Sequence, residues 1–210
     1  MDLTATLQDT DDFAPVGYKL KAIESFNYFT DPISQTMFGE KYSSPICFGP
    51  LNKGEQDRAK AARDLNQLYC HSHDHREQFE GKLGTKMIYQ LNTTMPKDEQ
   101  VTLIARIGLN PCIKAIAIPL EDKEMVPLIR KNNVKVVVKN VSTMDQAAEA
   151  LDLQPDAIWI SGGIKSLQKV APFIKQRRPD ILIFVDSSAR KGSEMLSLIA
   201  SGADAIFLQG

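Results

Sequence analysis

The residues best suited to chemistry in this chain form a short polar stretch between two buried-looking runs. Asp186, Ser187, Ser188, Ala189, Arg190 and Lys191 follow the unbroken apolar run Ile181–Val185. They precede a stretch from Glu194 to Ala200 with apolar residues on one helical side, ended by Gly202. An all-apolar run fits a strand covered on both faces. The pattern reads strand, polar loop, helix, then a second buried strand at Ala205–Leu208. In a barrel of parallel strands the loops at the carboxyl ends build the site, and the last two often hold a phosphate. The stretch is therefore a candidate phosphate-binding corner. The plainer alternative is that Asp186 and Arg190 cap the next helix or pair with each other.

Two further groups could do chemistry. Lys139 follows the apolar run Val134–Val138, so it is either a cation at a barrel mouth or a lysine at a strand end. His71, His73 and His75 are all the histidines, packed with Cys70 and Asp74. Alternate side chains of an extended segment face one way, which allows a metal reading. A specific site usually needs more distant ligands and a second shell of support, and no second cluster occurs, so a polar loop after a strand is the better reading and no metal is expected. His71 is also a candidate base near the mouth of that strand. Trp159 and Cys47 read as core residues.

The elements that must position these residues are legible as an alternation. Short apolar runs occur at Pro45–Phe48, Gln67–Cys70, Lys86–Leu91, Lys114–Ile118, Val134–Val138, Ala157–Ile160, Ile181–Val185 and Ala205–Leu208. Helical spacing of apolar residues lies between most of them: Val101, Ile104 and Ala105; Met144, Ala147, Ala148 and Leu151; Leu167, Val170, Ala171 and Ile174. Ser142 with Asp145 resembles a capping box for the Met144 helix. Eight strands alternating with helices predict an α/β fold, a (β/α)8 TIM-type barrel, with an open doubly wound sheet as the alternative. Barrels of this kind run to about 250 residues, so this one is trimmed. Residues 1–14 read as a mobile polar tail, and 15–210 as a single barrel domain that includes a lead-in segment over 16–44.

Bulk properties narrow the function. The 210 residues carry a net charge of −1, which argues against nucleic acid as a partner and against a polybasic membrane anchor. No apolar run is long enough to span a bilayer. Three widely spaced cysteines read as reduced thiols in an intracellular protein. The chain does not end in a peroxisomal tripeptide, so a cytoplasmic location is expected over a peroxisomal one.

Several segments, in order, resemble the FMN-dependent α-hydroxy-acid oxidases and dehydrogenases. Asp186-Ser-Ser-Ala-Arg190-Lys-Gly192, followed by Gly202-Ala-Asp-Ala205, is similar to that family's Asp-Gly-Gly-x-Arg-x-Gly…Gly-Ala signature. Phe38 to Pro50 resembles its approach to the first barrel strand. Tyr89-Gln90-Leu91-Asn92 resembles Gln-Leu-Tyr, Val138-Lys139-Asn140-Val141 resembles Lys-Gly-Ile, and Ile160-Ser161-Gly162-Gly163 resembles Ser-Asn-His-Gly-Gly. The likeness runs from about residue 18 to the end.

The resemblance implies FMN at the carboxyl mouth of the barrel. Gln90 would face the isoalloxazine and Lys139 would stabilise negative charge near its N1–C2 edge. Asp186 would hold the ribityl chain, and Arg190 would bind the phosphate through its guanidinium fork. It also implies a small 2-hydroxy acid as substrate. The departures are specific. No histidine follows position 75, so the family's catalytic base is missing. Its substrate-binding Arg gives way to Ile164-Lys165, and Lys165 lacks bidentate geometry. Its active-site Tyr is Asn92, and its two glycines after the Asp are Ser187 and Ser188. The lid after strand four, the last Gly-Arg and the final helix are lacking. A degenerate, non-catalytic member is therefore expected. An active 2-hydroxy-acid oxidoreductase is the first alternative. Another phosphate-binding flavin or nucleotide barrel, of the inosine-monophosphate dehydrogenase type, is the second. The flank left by the final helix is expected to be covered by residues 16–44, by a partner chain or by a homo-oligomer, since burying apolar area is worth about 25 cal/mol per Å².

Overall fold

The structure is a computed structural model that describes residues 34–49, 55–72, 84–92, 94–188 and 191–209. All of them belong to one compact unit spanning Ile33–Gly210. The tail over 1–14 and most of the lead-in segment lie outside the described residues.

Eight parallel strands close into a barrel, as the alternation predicts. They are β3 (Ile46–Phe48), β4 (Tyr69–Ser72), β5 (Met87–Gln90), β6 (Ile113–Pro119), β7 (Lys135–Val141), β8 (Ala157–Ile160), β9 (Leu182–Ser187) and β10 (Ala205–Leu208). Chain order is ring order, and β10 pairs with β3 to close the circle. Each predicted apolar run supplies one strand. The open-sheet alternative fails at this closure.

The helices between strands are α1 (Glu55–Asp64), α2 (Lys97–Gly108), α3 (Val126–Lys131), α4 (Met144–Asp152), α5 (Gly163–Arg177) and α6 (Gly192–Ala200). A six-residue 3-10 segment, Leu120–Met125, precedes α3, and the two fill the link from β6 to β7 where the family resemblance places a long lid. The capping box of α4 is shifted by one residue from its expected position. Thr143 is the cap: it accepts from the Gln146 N–H while Gln146 Oε1 accepts from the Thr143 N–H. Ser142 instead donates its own N–H and hydroxyl to Gln146 Oε1.

Two cores follow from the period of two along each strand. One side of every strand packs against the helices, as with Ile116, Val136, Val138, Ile158, Ile183, Val185 and Ile206. The other side fills the barrel with Cys47, Leu68, Cys70, Ile88, Ala115, Ala117, Val137, Ala157, Trp159, Phe184, Ala205 and Phe207. The large rings cluster on β8, β9 and β10. Trp159 and Phe207 lie with centroids 4.2 Å apart, and Phe184 meets Phe207 edge-on at 5.3 Å. Ala115 and Ala117 of β6 stand four places round the ring from β10, so small residues face the bulk across the interior. That matching of sizes gives the barrel its native packing density.

The amino-terminal end of the barrel is stoppered by an antiparallel hairpin, β1 (Gln35–Met37) and β2 (Glu40–Tyr42). Met37 and Tyr42 belong to the interior cluster and are fully buried, and Phe38 meets Phe184 edge-on at 5.8 Å. Glu40 pairs with Lys86 at 2.6 Å and with Lys114 at 2.5 Å, ahead of β5 and early in β6. The described part of the lead-in segment therefore closes the floor of the barrel. The expectation that this segment lies over the flank beside β10 does not hold for these residues: alternation in a short hairpin directs Met37 and Tyr42 into the open end of the strands.

Two aspartates just ahead of strands tie neighbours together at the same end. Asp156 accepts from the Val136 N–H at 2.9 Å and pairs with Lys135 at 3.0 Å. Asp204 accepts from the Ile183 N–H at 2.8 Å and pairs with Lys175 at 2.7 Å. Charge at the amino-terminal face serves stability, which leaves the opposite face for chemistry.

Candidate functional site at the carboxyl mouth

Gln90, Lys139 and Asp186 stand at the carboxyl ends of β5, β7 and β9. Each lies two residues beyond an interior residue of its own strand, namely Ile88, Val137 and Phe184, so all three line the upper inner wall. For Lys139 this depends on local backbone. The pairing of β7 with β8 shifts register between Val138 and Val141, and Asn140 adopts φ +63°. A bulge of this kind bends the strand and redirects side chains beside it.

The polar groups of the mouth contact one another. Lys139 Nζ lies 5.3 Å from the centre of the Trp159 ring, a cation–π arrangement. Gln209, one residue past β10, donates through Nε2 to Asp186 Oδ1 at 2.5 Å. The buried Trp159 Nε1 also faces the Asp186 carboxylate and steadies its charge, though not in good hydrogen-bond geometry. Desolvation pushes the Asp186 pKa above its usual value, against the opposing effects of Gln209, Lys139 and Trp159. Across the mouth, Gln90 Nε2 donates to Cys70 Sγ at 3.1 Å. The result is one ammonium, one carboxyl whose pKa is held above its usual value, and two amides around a floor of indole and phenyl rings. Such a set can meet a polar, ring-shaped ligand with cation, donor and acceptor at fixed places.

The remaining expected residues are placed as follows. Arg190, His73 and His75 lie outside the described residues. His71 is buried at 4% exposure and packs between Tyr69 and Tyr89, whose rings belong to the core between barrel and helices. It thus faces away from the side of β4 that carries Cys70, because one residue along a strand reverses the direction of the side chain. The expectation of a base at the mouth does not fit that placement. Asn92 turns back on its own loop, where Oδ1 accepts from the Thr94 N–H at 2.9 Å and hydroxyl at 2.7 Å.

After β8, Ser161 passes directly into Gly162 at φ +93° and Gly163 at φ +73°, which open α5. A Cβ on Gly162 would stand 2.5 Å from Ser166 Oγ, so the turn is closed to a side chain at that point. Lys165 is exposed. Cys47 is fully buried, and burial pushes its thiol well above the ordinary range, which suits packing rather than reactivity. Gln209 and the double role of Trp159, core filler and wall of the mouth, are not apparent from local sequence. Strand phase on β8 was the one available signal for the second.

Comparison with known proteins agrees with this architecture. The profile of the FMN-dependent dehydrogenase family matches residues 116–209. No curated protein matches the chain. Among solved structures, mandelate oxidase with 3,3-difluoro-2-hydroxy-3-phenylpropionic acid superposes with TM-score 0.76 at 19% identity, over 88% of this chain and 70% of that one. A lactate oxidase of Pediococcus acidilactici gives 0.77 at 18% identity, over 94% of this chain and 69% of that one. A mandelate oxidase mutant with the monooxide FMN adduct gives 0.75 at 20% identity, over 100% of this chain and 84% of that one. The second half of the barrel is thus similar to the FMN-dependent dehydrogenase family, and the described fold is shared with these oxidases.

Proposed function

We propose that this chain is a degenerate member of its family, which holds FMN or its phosphate at the barrel mouth with lost or much reduced catalysis. The observation that carries the reading is that Gln90, Lys139 and Asp186 all stand at strand ends around one mouth of the barrel, with Lys139 over the ring of Trp159. The chemistry of this donor set fits FMN. Lys139 would oppose negative charge on the flavin's pyrimidine edge, Gln90 would offer an amide to the same ring system, and Asp186 with Arg190 would take the ribityl phosphate arm. When bound, FMN supplies the capacity to accept a hydride or electrons. The rest of the chemistry falls to the protein, and here the described residues of the mouth are deficient. Oxidation of a 2-hydroxy acid needs a group to take a proton and a cation to hold the carboxylate. The turn Ser161-Gly162-Gly163 offers no base, Lys165 is exposed, and Asn92 is engaged with Thr94. Loss of a positioned base alone lowers rates by about 10²–10⁴.

The test is direct. The purified protein is expected to be yellow, or to take up FMN on addition, and to turn over glycolate, lactate and mandelate slowly or not at all. Failure to take up FMN would remove the cofactor half of the proposal. Turnover at rates ordinary for enzymes would remove the other half and restore an active oxidoreductase.

A further inference from the structure

Helices α4 and α5 pack side by side on the outside of the barrel and carry opposite charge. α4 holds Asp145, Glu149 and Asp152 and no lysine or arginine. α5 holds Lys165, Lys169, Lys175 and Arg177 and no acid. The buried residues of each helix, Ala147 and Ala150 in α4 and Leu167, Val170, Ala171 and Ile174 in α5, turn to the barrel. Asp145, Glu149, Lys165 and Lys169 are left exposed to solvent.

This arrangement works against each helix taken alone. A solvated helix face mixes the two signs, which lets neighbours one turn apart attract. Here Lys165 and Lys169 are like charges four residues apart, and so are Asp145 and Glu149. Lys165 also sits in the first turn of α5, where the helix dipole disfavours a cation. Little within the chain compensates. Among the described residues Asp145, Lys165 and Lys169 enter no ion pair, whereas Lys175 is engaged by Asp204 at 2.7 Å. Glu149 meets Lys123 at 2.5 Å, with side chains 47% and 51% exposed. Local rules broken without a gain inside the chain point to a gain outside it.

We propose that a second copy of this chain docks on the α4–α5 face, in an isologous dimer held by charge. A two-fold axis along the groove between the helices sets α4 of one copy against α5 of the other, and the reverse. Both helices follow the carboxyl end of a strand, so they start at the same level and run the same way. Asp145 then meets Lys165 of the partner subunit, and Glu149 meets Lys169 of the partner subunit. The spacing of four residues is the same on both sides, so the two pairs lie one helical turn apart. Met144, 52% exposed in the first turn of α4, is covered by the same contact. A purely basic face would call for an acidic partner; both signs on one face at matched spacing call for the chain itself. Exposed ion pairs are individually weak, so the dimer is transient and sensitive to salt.

Sedimentation equilibrium of the full chain, loaded from micromolar to millimolar, tests this. Wild type is expected to dimerise in about 10 mM salt and to associate at least about tenfold more weakly in about 1 M, where charges are screened within about 3 Å. Two double variants, Lys165→Glu with Lys169→Glu and Asp145→Lys with Glu149→Lys, should each be monomeric in low salt. Mixed, they should form a heterodimer, since one carries acid on both helices and the other base on both. That recovery also shows that neither variant is misfolded. Wild type that stays monomeric in low salt, a dimer that persists in either double variant, or no heterodimer on mixing would overturn the proposal. A monomer that instead binds polyglutamate, and loses this with Lys165→Glu and Lys169→Glu, gives the face to an acidic partner and overturns it as well.

Discussion

The Lys139 ammonium stands 5.3 Å from the centre of the Trp159 ring, on the inner wall that also carries Asp186. Trp159 is the chain's single tryptophan, so its emission reports on this mouth and on nothing else. Lys139→Met removes the cation while keeping a flexible apolar stem. FMN affinity is expected to fall about tenfold, the scale of one favourable charge contact. The Asp186 carboxyl should titrate still higher, because Lys139 is one of the groups holding it down. Flavin titration and the pH dependence of Trp159 emission check the two effects. Unchanged affinity would show that the lysine does not meet the flavin.

Asp186 gives the mouth a pH dependence whose sign can be worked out. Desolvation raises its folded-state pKa above the ordinary 3.8, so the native state holds the proton more tightly than the unfolded chain does. Its contribution to stability is fully present below the ordinary carboxylate range and is lost as pH rises through the raised value. Asp186→Asn is uncharged throughout. Relative to wild type it should gain stability from acid to neutral pH. Urea unfolding across that range measures the difference, and the variant should also abolish the matching titration of Trp159 emission. A difference that is flat with pH would contradict the assignment.

Glu40 works in the opposite sense at the other end of the barrel. Burial opposes its ionisation, but hydrogen bonds and attraction from Lys114 and Lys86 outweigh that and lower its pKa. Its contribution is present above the ordinary 4.5 and is lost as pH falls through the lowered value. Glu40→Gln should cost about 0.5–1 kcal/mol at neutral pH, a partly exposed network being screened by water, and nothing in acid. Thermal unfolding at the two pH values tests this.

Gly49 is held by geometry rather than by an unusual backbone. The atoms a Cβ would meet there are main chain, Leu208 O at 2.7 Å and Leu208 C at 3.3 Å, so the strand itself must shift. Gly49→Ala should cost about 1–3 kcal/mol in urea unfolding, the range for overpacking a tight contact.

The eight strands and their order were legible because a strand buried on both faces must be apolar throughout, and Ile181–Val185 or Ala157–Ile160 can be little else. Lys139 and Asp186 could be placed from the same signal, since each follows such a run and so belongs at a carboxyl end. Finer choices were not decided locally. Ser142 and Thr143 are both able to cap α4, and only the path of the backbone out of β7 gives the cap to Thr143. His71 has the chemistry of a base, but strand phase turns it to the helices between Tyr69 and Tyr89. The contact of Arg58 with Leu208 spans 150 residues, and that of Gln209 with Asp186 spans 23. No periodicity links such positions. Residue types and the period of two determine an eight-stranded parallel barrel and the end of it that carries polar side chains. Closure of the ring decides which of those side chains meet, because it brings the first and last strands of the barrel into one seam.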